Sequence, residues 1–494
     1  MRNLIRFPYW HPDHLGEPLP ESEHATSVAM PQWSDVVDYE EGELRVTACL
    51  RAGYPRFRIH EHVEALNARV PVVAGEKALV FPSAGAAQRC LDFVHRQKGA
   101  VGRIGAPING VYPVVVPESA FDVVYGFWQH CGEIVSSRHA LKALEGCPKT
   151  QRGALAKTVV KQRIATLAGD EEAPVWLHPT GMASIYAAFR AATQLRPDLP
   201  TVQFGFPYVD TLKLQEKLGS GVEFLPDGDE ADIERIIQLA AEGSISAVFC
   251  ECPTNPLLKT PDLIRLSEAL RPAGIPLIVD NTLDSFDNLD VLPWADLVAT
   301  SLTKYFSGVG DVMGGSLVLN RQSPLYENLK TILEAQAEDL LWDDDALALE
   351  LNSRDFKARM ETINTNTRAL VQALREDSRI AGLFYPEHQT TYQSLRKWDS
   401  RGFGGLFSLV LHEAEHTSPV FYNRLRLCKG PSLGTGFSLV CAYTQLAHFE
   451  ELDWASQRGV SPWLLRISVG EESDLIQRFQ AALDGVSQPV RRVS

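Results

Sequence analysis

The chain has 494 residues, of which 45% are hydrophobic and 22% are charged, a composition typical of a soluble globular protein with two or three domains. Its formal net charge is −15 at pH 7, and no long run of Lys or Arg is present, so neither a nucleic-acid partner nor an anionic membrane partner is expected. No segment approaches the roughly 20 apolar residues of a membrane-spanning helix, and the N-terminus has no signal-peptide pattern, so we predict a cytoplasmic protein.

The first two thirds of the chain predict an arm followed by an α/β domain. Residues 1–72 are rich in Pro, His and aromatic residues and show little periodicity, so we predict an N-terminal arm. From 73 to 320, short apolar runs alternate with helical patterns, which predicts a mostly parallel sheet buried on both faces. The runs are EKALVF, SAVFCEC, IPLIVDN, ADLVATS and GGSLVLN. A helix that Thr260 caps is predicted between SAVFCEC and IPLIVDN.

The remaining segments predict a smaller domain and an insertion. Residues 321–494 begin with a long helical stretch, roughly Pro324 to Arg375, and continue with short strands and a last helix, DLIQRFQAALDGV. This order is typical of a C-terminal α+β domain. Residues of about 100–175 combine a Val-Pro stretch with a Lys- and Ala-rich helical run. We interpret this segment as an insertion that reshapes the mouth of a site.

Polar side chains follow three of the predicted strands. Asn255 comes after SAVFCEC, Asp280 ends IPLIVD, and Ser301, Thr303 and Lys304 follow DLVAT. Because the carboxyl ends of parallel strands meet at one edge of a sheet, these groups are expected to share a crevice. The turn of Thr180 and Gly181 opens a small-residue helix near Met182, and free backbone N–H groups at such a helix start bind anions.

A phosphate site, a carboxylate and a lysine together indicate pyridoxal phosphate (PLP). Lys304 would bond to the aldehyde, and Asp280 would keep the pyridine nitrogen protonated. Each piece has an ordinary alternative, since Ser-x-Thr-Lys is commonly a solvated loop and an Asp after a strand is commonly a turn residue. A dinucleotide fold is the rival, but GVGDVMGG precedes a strand and lacks the required glycine spacing. The eight scattered cysteines have no zinc-site spacing, so no metal is expected.

At this point the sequence resembles the Cys/Met-metabolism branch of the fold-type I PLP enzymes, represented by cystathionine γ-synthase, and its fungal cystathionine γ-synthase-like members in particular. The motifs that carry the resemblance lie within residues of about 16–485 and are GYPRF, PTGM, YVDTLKL, ECPTNP, IVDNT, SLTKYFSG, PSLG and LLRISVG. The resemblance implies an α/β fold-type I transferase with a smaller α+β C-terminal domain. Pro55, Val209 and Asp210 depart from the family pattern of a serine and two glycines.

The resemblance also implies roles for individual residues. Lys304 matches the Schiff-base lysine, and Tyr208 the ring that stacks on the cofactor, with Phe204 as the alternative. The other cofactor-binding positions it implies are Thr180, Gly181, Met182, Asn255, Asp280, Ser301 and Thr303. The substrate-binding positions are Ser432, Arg466, Lys213 and Glu251. Tyr54 and Arg56 match an arm that crosses to the neighbouring subunit, which implies a homodimer or homotetramer with shared active sites. Tyr54 is either a proton carrier or a phosphate ligand.

The activity implied by the resemblance is γ-replacement on an O-activated L-homoserine, with O-acetyl-L-homoserine as the first candidate. The reaction would pass through a β,γ-unsaturated (vinylglycine) ketimine, to which an external nucleophile adds at Cγ. Cysteine would make the enzyme a cystathionine γ-synthase, while fungal relatives in specialised metabolism accept carbon or nitrogen nucleophiles. The alternatives are a PLP-dependent γ-lyase, which eliminates only, and a non-catalytic homologue.

Overall fold

The computed structural model describes residues 2–99 and 101–486. Its N-terminal part contains short helices and two small antiparallel sheets. In chain order its elements are β1 (Pro18–Leu19), β2 (Ser27–Val28), α1 (Trp33–Glu40), α2 (Leu44–Thr47), α3 (Glu61–Asn67), β3 (Glu76–Phe81), α4 (Ala84–Lys98), β4 (Arg103–Ile104), β5 (Tyr112–Pro117), α5 (Phe121–Cys131) and α6 (Ser137–Glu145). The predicted arm therefore contains helices that pack on the rest of the chain. Trp33 of α1, for example, stacks on Trp463 with ring centroids 5.7 Å apart.

The run EKALVF is a strand, as predicted, but it belongs to a different sheet. As β3 it pairs antiparallel with β5, and β4 completes a three-stranded sheet that is separate from the main one. Helices α4 and α5 cover this sheet through Phe81, Phe93 and Phe127. A continuous apolar run shows that a strand is buried on both faces, but it does not specify which strands lie beside it.

The central sheet has seven strands and carries the site. The elements of this part are α7 (Gln151–Leu167), β6 (Val175–His178), α8 (Gly181–Leu195), β7 (Thr201–Phe204), α9 (Val209–Leu218), β8 (Val222–Leu225), α10 (Glu230–Glu242), β9 (Val248–Glu251), α11 (Leu263–Leu270), β10 (Leu277–Asp280), β11 (Leu297–Ser301) and β12 (Gly315–Leu319). The strand order is β6-β12-β11-β10-β9-β7-β8, and β12 runs antiparallel to both of its neighbours. The expected mostly parallel α/β sheet is confirmed.

Alternate residues of each central strand enter different apolar clusters, which explains their continuous apolarity. In β10, Leu277 and Val279 pack in one cluster, whereas Ile278 packs in a second cluster with α8. The helix before β10 begins later than predicted. The side chain of Asp262, not that of Thr260, accepts the hydrogen bond from the backbone N–H of Arg265 and caps α11.

The C-terminal part has its own five-stranded sheet, in the order β13-β14-β17-β16-β15. The elements are α12 (Tyr326–Gln336), α13 (Asp343–Asn352), α14 (Phe356–Arg375), β13 (Ile380–Phe384), α15 (Thr390–Leu395), β14 (Leu406–Leu411), α16 (Ala414–Arg424), β15 (Cys428–Lys429), β16 (Leu439–Ala442), α17 (Tyr443–Ala447), α18 (Leu452–Ser456), β17 (Leu465–Ser468) and α19 (Leu475–Asp484). The predicted long helical stretch is thus three helices, and the smaller α+β part is confirmed. Within the described ranges, no helix is both long and apolar enough to cross a membrane.

Candidate active site

A cavity of about 580 Å³ opens at the carboxyl ends of the central strands. It receives side chains from the central sheet, the C-terminal sheet and the N-terminal arm. The predicted site residues that line it are Tyr54, Arg56, Gly181, Met182, Tyr208, Lys213, Glu251, Asn255, Asp280, Ser301, Lys304, Ser432 and Arg466. Residues far apart in sequence therefore meet at one place, as the strand-end argument predicts.

Lys304 extends from the end of β11 into this cavity and is only 8% exposed. Its Nζ donates a hydrogen bond to Ser432 Oγ at 2.8 Å and lies 4.3 Å from the centroid of the Tyr54 ring. Burial lowers the pKa of the Lys304 ammonium, and the guanidinium of Arg466 lowers it further. The amine is therefore closer to its neutral, nucleophilic form than a surface lysine is.

The loop between β15 and β16 brings Ser432 to Lys304. Ser432 has a φ of +79°, in the left-handed region that few side chains adopt. Gly434 follows in the same region, and a Cβ on it would lie 2.6 Å from the backbone N of Tyr305. Only glycine allows the loop to approach β11 this closely, so the position of Ser432 depends on Gly434.

Two carboxylates end neighbouring strands. Glu251 of β9 and Asp280 of β10 are register partners in the parallel pair. Burial and the adjacent Asp280 raise the pKa of Glu251 to about 8, and burial also raises the pKa of Asp280. Glu251 accepts hydrogen bonds from the backbone N–H groups of Tyr208 and Asn255. A buried carboxylate pair of this kind favours a cationic ligand group such as a protonated ring nitrogen.

The start of α8 lies at the cavity, where the sequence predicts an anion site. The first N–H groups of a helix have no acceptor within the helix. A Cβ on Gly181 would lie 2.6 Å from Ser301 Cβ, so a side chain here would displace the loop that follows β11. Ser301 lines the cavity beside this turn. A phosphate fits here, with donors from the backbone of Gly181 and Met182.

Two residues expected at the phosphate are turned away from the cavity. Thr180 Oγ1 caps α8 by accepting from Ala183 N at 3.0 Å, and it donates to Gly132 O at 2.9 Å. Thr303 Oγ1 accepts from Gly314 N at 3.1 Å, and the residue is 2% exposed. Neither side chain lines the cavity, and here both hydroxyls hold the backbone of the turns. A role for these residues at the phosphate stays a prediction.

Arg56 closes the other side of the phosphate region. It is 2% exposed, and its Nη1 lies 2.5 Å from Asp210 Oδ2. Its Nη2 donates to Tyr208 Oη at 2.5 Å. The other oxygen of Asp210 lies 2.9 Å from His130 Nδ1. Sequence reasoning noted Asp210 only as a departure from the family pattern and missed His130, because no local pattern links residues 56, 130 and 210.

The arm brings two of the predicted residues to the cavity. Tyr54 and Arg56 lie in the site of their own chain, next to Lys304 and Tyr208. The structure describes a single chain, so the crossing of the arm to a neighbouring subunit, which the resemblance implied, stays a prediction. Assembly into a homodimer or homotetramer stays a prediction.

Arg466 of β17 faces the cavity from the C-terminal sheet and is 6% exposed. It donates to Ser432 O at 2.7 Å and to Asn255 Oδ1 at 3.2 Å, and its guanidinium carbon lies 5.0 Å from the centroid of the Tyr443 ring. Among the described residues, no Asp or Glu forms an ion pair with it. A buried guanidinium without a protein counterion has the charge and geometry to bind a ligand carboxylate. Sequence reasoning missed Tyr443, whose Oη lies 3.4 Å from Asn255 Nδ2.

Of the remaining predicted residues, Lys213 lies at the rim of the cavity and Phe204 lies in the hydrophobic core. Lys213 lies at the rim of the cavity, with Nζ 3.1 Å from Glu216 Oε2 and 3.9 Å from Glu451 Oε1. Phe204, the alternative to Tyr208, is 1% exposed and packs in the core beneath the sheet. In the part of the chain that the structure describes, no group of three or more His, Cys, Asp or Glu side chains could hold a metal ion.

Comparison with known proteins agrees with this geometry. Residues 141–484 match the family model of the Cys/Met metabolism PLP-dependent enzymes, and residues 59–136 match that of the fungal trans-sulfuration enzyme N-terminal domain. The chain is 34% identical to the cystathionine gamma-synthase-like enzyme iboG2 of Amanita muscaria, with 96% of this chain and 97% of that protein covered. It is 32% identical to the cystathionine gamma-synthase of Neurospora crassa, with 96% and 98% covered.

A solved structure gives the same result. The cystathionine gamma synthase of Xanthomonas oryzae pv. oryzae, in complex with aminoacrylate and cysteine, superposes with a TM-score of 0.59 and 25% identity. The match covers 68% of this chain and 89% of the other. A buried lysine, a paired carboxylate and an anion-binding helix start in one cavity fit PLP. The chain therefore belongs to the Cys/Met metabolism family of PLP-dependent enzymes, in its cystathionine γ-synthase-like branch.

Proposed function

We propose that this enzyme catalyses γ-replacement on an O-activated L-homoserine, with O-acetyl-L-homoserine as the first candidate. One observation carries the proposal: Ser432 joins the two groups that an α-amino acid requires. Its Oγ accepts from Lys304 Nζ at 2.8 Å, and its carbonyl oxygen accepts from Arg466 Nη2 at 2.7 Å. An amino acid whose carboxylate binds Arg466 therefore has its α-carbon near Lys304.

Each residue around the cavity has a different role in the proposed reaction. Bound PLP supplies an aldehyde that takes the substrate amine and a ring that takes up negative charge. Lys304 Nζ, whose pKa burial lowers, would remove the proton from the α-carbon and carry protons to the next carbon. Asp280 would hold a positive charge on the ring nitrogen, and Tyr208 would cover the ring.

Tyr54 is the second proton carrier. Its ring centroid lies 4.3 Å from Lys304 Nζ, and the side chain reaches the cavity from the arm. A hydroxyl in this position can exchange a proton with the amine while the bond at Cγ breaks or forms. The alternative is that Tyr54 only binds phosphate, and the two roles predict different pH profiles.

The nucleophile is the open part of the reaction. The Neurospora crassa relative and the Xanthomonas oryzae structure are named for cystathionine gamma-synthase, which supports a thiol such as cysteine. A relative in Amanita muscaria carries the same name with the addition "-like", which leaves room for a carbon or nitrogen nucleophile. We include all three classes in the proposal.

Mass spectrometry of the products tests the proposal directly. The PLP-loaded enzyme is incubated with O-acetyl-L-homoserine, or with O-succinyl-L-homoserine, and a panel of thiols, amines and β-keto acids. We expect a product whose mass is that of the nucleophile plus the aminobutyrate unit, absent with Lys304→Ala. Formation of only ammonia and 2-oxobutanoate would instead identify a γ-lyase, and no turnover of any donor would contradict the proposal.

The proposal also places the enzyme in the cytoplasm as a homodimer or homotetramer. Its acidic, ordinary globular composition supports the location, and the family resemblance supports the assembly. Light scattering after gel filtration measures the assembly, and a fluorescent fusion in the source cell shows the location. A signal confined to an organelle would contradict the location.

A further inference from the structure

We infer that the Tyr443 hydroxyl donates a hydrogen bond to the α-carboxylate of the substrate and so forms a second anchor for it beside Arg466. Tyr443 lies outside every motif that the sequence analysis singled out. The inference rests on one part of the proposed function, the binding of an α-amino acid. It does not depend on the nucleophile or on the bond that breaks at Cγ.

Tyr443 lies in the wall of the cavity, at the start of α17. It is 3% exposed, and its backbone N–H donates to Leu464 O at 3.1 Å. Its ring packs in a small hydrophobic cluster with Phe206 and Leu257. The protein core therefore holds both the backbone and the ring of Tyr443, which gives its hydroxyl a defined position.

The hydrogen bonds of Asn255 determine which partner of Tyr443 donates. Arg466 Nη1 donates to Asn255 Oδ1 at 3.2 Å, and because a guanidinium has only donors, the amide atom that faces it has to be the oxygen. The amide nitrogen of Asn255 then faces Tyr443 and donates to its Oη at 3.4 Å. Tyr443 Oη is the acceptor in this contact, so its own hydrogen points away from Asn255.

The Tyr443 hydroxyl is a donor without a protein acceptor. In the part of the chain that the structure describes, the only hydrogen bond of this side chain is the one that it accepts from Asn255. A buried hydroxyl whose hydrogen has no acceptor is unfavourable, so a ligand oxygen that enters the cavity gains this hydrogen bond. Burial raises the pKa of Tyr443, although the charge of Arg466 opposes the shift, so the hydroxyl keeps its proton at neutral pH.

The position of Arg466 makes the α-carboxylate the acceptor that fits best. Its guanidinium carbon lies 5.0 Å from the centroid of the Tyr443 ring, and both side chains contact that of Asn255. A carboxylate has about four lone-pair sites, so it can accept from the guanidinium and from the hydroxyl at the same time. A neutral amide in the same place has one acceptor oxygen and no charge, so it would gain much less.

Binding of L-norvaline tests the inference, because this amino acid has a carboxylate but no leaving group at Cγ. It is titrated into the PLP-loaded enzyme, and the change in the visible absorbance of lysine-bound PLP gives its affinity. L-Norvalinamide, in which a neutral amide replaces the carboxylate, is titrated in parallel. We expect Tyr443→Phe to bind L-norvaline about tenfold more weakly than the wild type does, and L-norvalinamide within about twofold of the wild type.

Tyr392→Phe is the matched control. Tyr392 is also a buried tyrosine, its hydroxyl has no hydrogen-bond partner among the described residues, and it does not line the cavity. This variant should keep the wild-type affinity for both ligands. PLP is also titrated into the apo-forms of both variants, and we expect wild-type affinity in each.

Three results would overturn the inference. The first is wild-type affinity of Tyr443→Phe for L-norvaline. The second is an equal loss for L-norvaline and L-norvalinamide, which would show that the substitution affects the packing of the ring and not a bond to the carboxylate. The third is weaker binding of PLP, which would show that the hydroxyl serves the cofactor.

This test and the test of the proposed function fail separately. L-Norvaline cannot undergo γ-replacement, so its affinities stand whether the enzyme replaces or eliminates the γ-substituent. A wild-type enzyme that binds L-norvaline but turns over no O-activated homoserine would contradict the proposed function alone. A wild-type enzyme that does not bind L-norvaline would overturn the present inference.

Discussion

Glu251 and Asp280 lie side by side as register partners at the ends of β9 and β10. Each carboxyl group makes ionisation of the other less favourable, because both are buried and close together. A cation that binds next to the two carboxyl groups would favour their ionised forms. PLP supplies that cation when its ring nitrogen is protonated, so cofactor binding and the charge of this pair are coupled.

This coupling predicts a pH-dependent stability of the apo-enzyme. The pKa of Glu251 is raised from 4.5 to about 8 in the folded chain, so the folded state holds its proton more tightly than the unfolded state does. Stability from this group is full below about pH 4.5 and is lost as the pH rises towards 8. We expect the melting temperature of the apo-enzyme to fall over this range, and Glu251→Gln to flatten the slope. An unchanged slope in the variant would contradict the expectation.

Lys304→Ala should abolish catalysis and the visible absorbance of lysine-bound PLP. We expect a loss in kcat of about 10³-fold or more, because both covalent attachment and proton transfer require this amine. Lys259→Ala is the matched control, since Lys259 Nζ only donates to the backbone oxygen of Asp227 on the surface. Absorbance spectra and product formation measure both effects. Normal absorbance in Lys304→Ala would refute the assignment.

Arg466→Lys should weaken the binding of the amino-acid substrate while PLP still binds. Lysine keeps the charge but cannot present two parallel N–H groups to a carboxylate. A loss of about 2–3 kcal/mol, or roughly 30- to 150-fold in kcat/KM, is expected. Steady-state kinetics and a PLP titration separate the two sites. A variant that loses PLP affinity and keeps kcat/KM at saturating PLP would show that Arg466 serves the cofactor instead.

Tyr54→Phe distinguishes a proton carrier from a phosphate ligand. Burial alone would raise the pKa of Tyr54, but the charges of Lys304 and Arg56 bring it below its usual value. A proton carrier with a lowered pKa gives an alkaline limb in the pH profile of kcat/KM. We expect the variant to lose that limb and about 10²-fold in rate. Weaker PLP binding with an unchanged profile would indicate the phosphate role.

Gly434→Ala should destabilise the loop that carries Ser432. Its positive φ disfavours alanine, and the new Cβ would meet the backbone of Tyr305 at 2.6 Å. Gly169→Ala is the matched control, because Gly169 also has a positive φ, of +86°, but no atom lies within 4 Å of its Cβ position. We expect Gly169→Ala to lose about 1 kcal/mol of unfolding free energy and Gly434→Ala about 2 kcal/mol more. Denaturant titration measures the difference, and equal losses would contradict the close contact.

The positions of the strand ends could be predicted because a buried strand is recognised from the residues of its own short segment. A continuous apolar run indicates a buried strand, and the carboxyl ends of parallel strands share an edge, so Asn255, Asp280 and Lys304 were expected together. The partner strand of EKALVF could not be predicted in this way, since apolarity does not encode pairing. The hydrogen-bond partners of the Thr180 and Thr303 hydroxyls could not be predicted for a related reason. A nearby backbone N–H satisfies each of them, and spacing alone does not show that competition.

The ion pair of Arg56 and Asp210 was beyond sequence reasoning from a single chain. The two residues lie 154 positions apart, and neither the arm nor the start of α9 has a pattern that indicates the other. Asp210 stood out only because it replaces a glycine of the family motif. A departure from a family motif at a buried helix start is thus a reason to look for a buried opposite charge elsewhere in the chain.

The loop of Ser432 touches the amine of Lys304 and the guanidinium of Arg466 at once. Neither strand that bears those groups has to change for the loop to change. Natural selection can therefore adjust the spacing between Lys304 Nζ and the Arg466 guanidinium through the few residues of this largely buried loop. Diversification of chemistry within this branch would then leave the sheets untouched.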